Sequence, residues 1–126
     1  MYTITKRYEI AGAHHLCLNY DSPCERLHGH NWIVNVEVKG KVLNQNGMLI
    51  DFGLIKNVVT RLDHQEINKI LGNVNPTAEN ICRWIALKLQ QEITEEWALE
   101  EEGLQLPHVS SVTVQESEGN IACYTP

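Results

Sequence analysis

A chain of 126 residues, 43% of them hydrophobic, has a common single-domain length and can bury a core without disulfide or metal staples. Its net charge of −6, with Lys and Arg scattered singly, speaks against a nucleic-acid partner or a membrane-surface partner, so an anionic substrate would need a local basic patch. Met1-Tyr-Thr-Ile-Thr-Lys lacks the basic-then-apolar pattern of a leader, and no apolar run is long enough to cross a bilayer. Cys17, Cys24, Cys82 and Cys123 lack paired spacing, so a cytoplasmic protein with free thiols is expected.

In chain order, residues 3 to 10 place Ile4, Tyr8 and Ile10 on one parity and Thr3, Thr5, Arg7 and Glu9 on the other, the period-2 pattern of a half-buried strand in which Lys6 is discordant. The pattern is cleaner from Trp32 to Val38, where Trp32, Val34, Val36 and Val38 face one way and Asn35, Glu37 and Lys39 the other. Extended backwards, this strand carries His28 and His30 on its core-facing side. Asn44-Gln-Asn-Gly47 signals a turn, after which Met48 to Phe52 is expected to return as the second arm of a hairpin. Asp51 is placed to cap a first helix with Leu54, Ile55, Val58, Val59 and Leu62 at helical spacing, running to residue 62. Gly72-Asn-Val-Asn-Pro-Thr77 breaks the chain, and a second amphipathic helix follows with Ala78, Ile81, Cys82, Ile85 and Leu89 on its apolar face and Pro76 or Thr77 at its start. The acidic residues Glu95, Glu96, Glu100, Glu101 and Glu102 read as a solvated helix end and loop. Val109 to Glu116 alternates again as a last strand. The order strand, strand, strand, helix, helix, strand predicts one α+β domain over residues 1–126, an antiparallel sheet with helices on one face.

The chemistry concentrates in Cys24-x-x-x-His28-Gly-His30. Histidines at i and i+2 on one face of a strand converge on a point, and catalytic zinc sites take three protein ligands with one position open. The third ligand has to come from elsewhere. His14 ends the first strand on the parity of Ile10 and would lie beside the pair on an adjacent strand, whereas His15 points the other way. By spacing alone, Cys24 is either a fourth ligand closing the site or a thiolate, its pKa lowered by a nearby cation, free to act as nucleophile or base. Cys82, on a helical apolar face, reads as a buried inert thiol. Asp63-His64 pairs a carboxylate with an imidazole it can orient, a proton donor or acceptor, though the pair also suits an ordinary helix end. Glu116 falls on the apolar parity of the last strand, where it needs a donor pair such as the amidine-like edge of a pterin or guanine, unless the strand ends a residue earlier.

With these residues in view, the chain resembles the 6-pyruvoyltetrahydropterin synthase family, and within it the bacterial queuosine-pathway branch. The resemblance runs nearly end to end and rests on Ala13-His14, Cys24-x-x-x-His28-Gly-His30, Gly47-Met-Leu-Ile-Asp-Phe52, Leu62-Asp-His64-x-x-x-Asn68, Asn75-Pro-Thr77-x-Glu79 and Glu116. It implies Zn2+ held by His14, His28 and His30, Cys24 as the catalytic thiol, Asp63 and His64 completing the proton transfer, and Glu116 anchoring the pterin with Thr77 and Glu79 in the substrate site. It also implies the tunnelling fold (T-fold), a four-stranded antiparallel sheet with two helices on one face, closing into a β-barrel in trimers that stack as a hexamer. The implied substrate is the small molecule 7,8-dihydroneopterin triphosphate. The implied reaction is a lyase reaction expelling triphosphate, and in the queuosine branch also acetaldehyde, to leave a 6-carboxy product. A pyruvoyl-forming synthase shares metal, thiol and substrate, and a non-catalytic zinc or pterin-binding module is the reading of another class.

Three positions depart from the family pattern: Ile10 stands where Phe is usual, His15 where Arg is frequent, and Glu25 adjoins the thiol, where some relatives use a glutamate in place of the Cys. Glu25 reads as a bystander. His15 puts in doubt any phosphate contact carried by that position.

Overall fold

The computed structural model describes residues 1–100 and 102–126, so Glu101 of the acidic run lies outside the described residues. Two long strands, β1 (Tyr2–His14) and β2 (His28–Gly40), form an antiparallel pair whose register runs unbroken from Tyr2 opposite Gly40 to His14 opposite His28. The alternation seen in the sequence sets this register. Shifting it by one residue would turn Trp32, Val34, Val36 and Val38, all buried, to the other face.

Strand β4 (His108–Ser117) pairs antiparallel with the other edge of β2, and β5 (Asn120–Tyr124) pairs antiparallel with β4. A two-residue strand β3 (Gln65–Glu66) adds in parallel to β1, giving the order β3-β1-β2-β4-β5. On the even-numbered face of β2 lie α1 (Phe52–Val59) and α3 (Ala78–Trp97), with the short α2 (Ile67–Leu71) beside β1. The Asp51 side chain caps α1 by accepting the Gly53 N–H at 2.7 Å, and Thr77 caps α3 by accepting from Asn80 at 3.2 Å. From α3, Ile81, Cys82, Ile85, Leu89, Ile93 and Trp97 recur at helical spacing and are buried against the sheet. The result is the expected α+β layering of a sheet with helices on one face, but among the described residues the sheet has five strands rather than four, β3 joining in parallel, and α2 adds a short third helix.

Two expectations are corrected. Met48 to Phe52 is not a hairpin arm, because both edges of β2 are already taken by β1 and β4. Instead Asn44 accepts from Asn46 and Met48 to close a tight turn, Leu49 and Ile50 sink into the interior, and the Trp97 indole donates to the Leu49 carbonyl at 3.1 Å. The fourth long strand is β5, entered through a turn at Gly119, whose φ of 82° favours glycine.

The second correction concerns the last strand's simple alternation. A bulge opposite Glu37 and Val38 leaves Ser110 extra, which lets Val109 and Val112 both face the core. A second irregularity, between Gln115 and Ser117, falls at Glu116.

Candidate metal centre and catalytic site

The β1–β2 register puts His14 directly opposite His28, and the parity of β2 puts His30 on the same face. The structure therefore brings the three histidines together: one ligand atom from each lies within 4.8 Å of the others. The Trp32 ring meets His14 and His30 edge-on, at centroid distances of 4.8 and 5.1 Å, and is pinned by its indole N–H donating to the Gly12 carbonyl at 3.0 Å. This gives the cluster an apolar floor.

Second partners orient the rings. Nδ1 of His14 lies 2.8 Å from the Pro76 carbonyl and Nδ1 of His28 lies 2.6 Å from the Arg26 carbonyl, so each ring donates from Nδ1 and leaves Nε2 as the free lone pair. The Nε2 atoms of His14 and His30 are buried without a hydrogen-bond partner, a costly arrangement unless something accepts their lone pairs. Burial holds the pKa values of both His14 and His30 below the ordinary imidazole value, which keeps the rings neutral, the state in which imidazole binds a metal. Three converging imidazoles, two of them with orphaned nitrogens, suit an ion such as zinc, with a coordination position left over.

Cys24 lies in a 3-10 turn (Pro23–Glu25) within the β1–β2 connection, its backbone N–H capped by the Ser22 hydroxyl at 3.2 Å. Its sulfur is not part of the three-histidine ligand group. Of the alternatives left open by spacing, the arrangement thus favours a thiol outside the metal's own ligands.

Glu116, whose side chain is 27% exposed, places Oε1 3.5 Å from the His30 Nε2, without hydrogen-bond geometry. The strand continues to Ser117, so Glu116 does not lie beyond its end. Its carboxylate lines a cleft of about 500 Å³ together with Glu79, Ala78, Asn120 and Cys123. Thr77 sits at the adjacent helix start with its hydroxyl oxygen engaged as the α3 cap.

Asp63 and His64 stand elsewhere. The Asp63 Oδ1 accepts the Ala11 N–H at 2.9 Å, and the His64 N–H donates to the Ala11 carbonyl at 2.6 Å, so the pair grips the outer edge of β1. That grip holds His64 at a φ of 55°, a left-handed conformation unusual for a residue with a side chain. The His64 ring is 82% exposed, with Nε2 3.7 Å from Asp63, and it borders a cleft of about 440 Å³ with Ala11, Gly12, Ala13, Gly29, His30 and Asn31. Ala11, Ala13, Gly29 and Asn31 have the parity opposite to the histidine cluster, whereas Gly12 and His30 share its parity. His64 is not one of the converging ligands, but the cleft it borders includes the ligand His30.

Asn68 and Asn75, noted in the sequence only as parts of motifs, make paired side-chain contacts to the backbone of His15 and Cys17. His15 itself is half-exposed and 4.0 Å from Glu66, and the Glu25 carboxylate accepts the Leu18 N–H at 3.4 Å.

The sequence matches the family described as 6-pyruvoyl tetrahydropterin synthase over residues 3–126. The chain belongs to that family. Membership makes it an enzyme, a lyase of pterin chemistry. A Synechocystis protein named 6-carboxy-5,6,7,8-tetrahydropterin synthase is 35% identical over 100 residues, covering 72% of this chain and 77% of that protein. A Pyrococcus furiosus protein named dihydroneopterin monophosphate aldolase is 38% identical over 73 residues, covering 55% of this chain and 60% of that one. Among solved structures, the Caenorhabditis elegans 6-pyruvoyl tetrahydropterin synthase superposes with a TM-score of 0.72 over 99% of this chain and 95% of that one, at 22% identity, which speaks for the fold. No described helix is long and apolar enough to cross a membrane.

Proposed function

We propose that the chain is a zinc-dependent 6-carboxytetrahydropterin synthase, converting 7,8-dihydroneopterin triphosphate and water to 6-carboxy-5,6,7,8-tetrahydropterin, acetaldehyde and triphosphate in queuosine biosynthesis. The observation that carries this reading is the three-histidine cluster with its buried, unpartnered Nε2 atoms, in a chain whose relatives include a protein of that name. A zinc ion held by His14, His28 and His30 supplies Lewis-acid polarisation of the substrate's side-chain hydroxyls.

The chain's own residues do the rest. Cys24, in the β1–β2 connection and not one of the cluster's ligands, takes a proton from the substrate side chain as a thiolate. His64, paired with Asp63, handles protons on the opposite side of the substrate, and from its place on the outer edge of β1 it serves a site completed by a second copy. Glu116 accepts the paired N–H groups of the pterin ring, with Glu79 lining the same cleft and Thr77 at the adjacent helix start. A homo-oligomer, a hexamer built as two trimers, gives the sheet edges partners and accommodates this sharing of residues. A cytoplasmic location agrees with the free thiols.

Incubation with 7,8-dihydroneopterin triphosphate is expected to release acetaldehyde in step with triphosphate. A pyruvoyl product without acetaldehyde would overturn the assignment in favour of the tetrahydrobiopterin-pathway reaction. The non-catalytic reading is separated by two variants: Cys24→Ala retains the metal and loses turnover, whereas His28→Ala loses the metal. Loss of metal from Cys24→Ala would make the thiol a fourth ligand and the site a closed, structural one.

A further inference from the structure

We propose that Asn68 and Asn75 are positioning residues whose side-chain amides hold the continuation of β1, residues 15 to 17, and through it fix the Cys24 turn relative to the histidine cluster. The parallel pairing of β1 with β3 ends at Ala13 opposite Glu66, so the outer edge of the chain beyond His14 has no strand partner. Two carboxamides take that place. A carboxamide carries a donor and an acceptor side by side, as a peptide group does, and can satisfy both backbone groups of one extended residue.

Asn68 accepts the His15 N–H at 2.9 Å and donates to the His15 carbonyl at 2.9 Å. Asn75 does the same for Cys17, at 2.9 and 3.0 Å. Between them the Leu16 N–H points to the other edge and donates to the Cys24 carbonyl at 2.8 Å. The segment is thus clamped on one side by two side chains and on the other side tethers the turn that bears the thiol. The Asn75 clamp also reaches the metal cluster, because the next residue's carbonyl, that of Pro76, orients the His14 ring. The Asn75 carbonyl is in turn tied down by the Asn80 side chain at 2.9 Å and by the Thr77 N–H at 2.8 Å. Imidazole and thiol are therefore referenced to one rigid piece of backbone at the start of α3. The Asn75 bonds are exposed and the Asn68 bonds only partly buried, and such bonds contribute little to global stability, so their consequence is placement rather than folding.

The inference rests on Cys24 being the reacting thiol, and its test has a readout independent of turnover. In Asn68→Ala and Asn75→Ala, the rate of Cys24 alkylation by iodoacetamide, followed by peptide mass mapping of the native metal-loaded protein, is expected to rise several-fold. Buried Cys82 is expected to stay unmodified in the same digest, reporting that the fold is intact. In turnover, kcat is expected to fall about tenfold to a hundredfold with KM little changed, as for a displaced reacting group. Asn68→Asp and Asn75→Asp keep the acceptor, lose the donor and should fall between; they carry the test if the alanine variants do not fold. Cys24 alkylation at the wild-type rate in folded variants overturns the proposal, as does parallel exposure of Cys82, which would mean general loosening. If the wild-type protein fails to turn over the pterin triphosphate, the functional reading falls while the alkylation result still decides the clamp.

Discussion

A buried imidazole has two nitrogens to satisfy, and at this centre one nitrogen of His14 and one of His28 is spent on a backbone carbonyl while the free nitrogens converge. Burial disfavours the charged ring and is the largest cause of the lowered pKa values of His14 and His30; the other histidines lower them further, and the Glu116 carboxylate pulls the other way. The sign for stability follows. A histidine whose folded pKa is depressed binds its proton more readily in the unfolded chain, so its contribution is intact above the ordinary imidazole value of about 6.5 and is lost as pH falls through the folded value. The metal-free protein is therefore expected to lose resistance to urea as pH falls from about 7.5 to about 5.5, and His14→Gln to flatten that dependence. An equal urea midpoint at both pH values would show that burial does not govern these rings. The three histidines could be read from the sequence because strand parity is strict and His14 ends its strand. The Pro76 and Arg26 carbonyls could not, since any residue supplies a backbone oxygen and only the folded chain says which one arrives.

The elements show where local pattern is sufficient and where neighbours decide. β1, β2, α1 and α3 follow from alternation, helical spacing and caps at Asp51 and Thr77. Met48 to Phe52 has strand-like composition but finds no free edge on β2, and Leu49 and Ile50 are buried instead, with the Leu49 carbonyl accepting from Trp97. β5 is not among the elements expected from the sequence, and the bulges in β4 leave no local mark, since an extra residue registers only against a partner strand. One position where elements meet closely is Gly12, on the core face of β1. A Cβ there would stand 3.0 Å from the Ile67 side chain and 3.2 Å from the Leu62 carbonyl oxygen. The Ile67 methyl can rotate away, but the Leu62 oxygen belongs to backbone held in the turn before Asp63. Gly12→Ala is therefore expected to destabilise by about 1–3 kcal/mol, the usual range for overpacking, measured as a lowered urea midpoint. An unchanged midpoint would mean that the α2 segment yields freely.

At the scale of the whole molecule, the helices cover one face of the sheet and leave the other to polar side chains such as Thr5, Arg7, Glu9, Asn35 and Glu37. The histidine cluster sits on the covered face, and His64 grips the outer edge of β1 beside a cleft lined by residues of both parities, His30 among them. If Cys24 and His64 act on one substrate across a subunit boundary, one chain offers its β1–β2 connection and the next its β1 edge. That arrangement has a quantitative signature. Cys24→Ala and His64→Ala should each be inactive alone. After the two are unfolded together in equal amounts and refolded into mixed oligomers, about a quarter of the shared sites should pair an intact thiol with an intact imidazole, by random assortment around a symmetric ring. Activity recovering to about a quarter of wild type would establish that the site is shared between chains. No recovery, in mixtures shown to exchange subunits, would mean that each chain must bring its own His64 to its own thiol by a rearrangement of the β1 edge. The left-handed strain at His64 would then be what that movement releases.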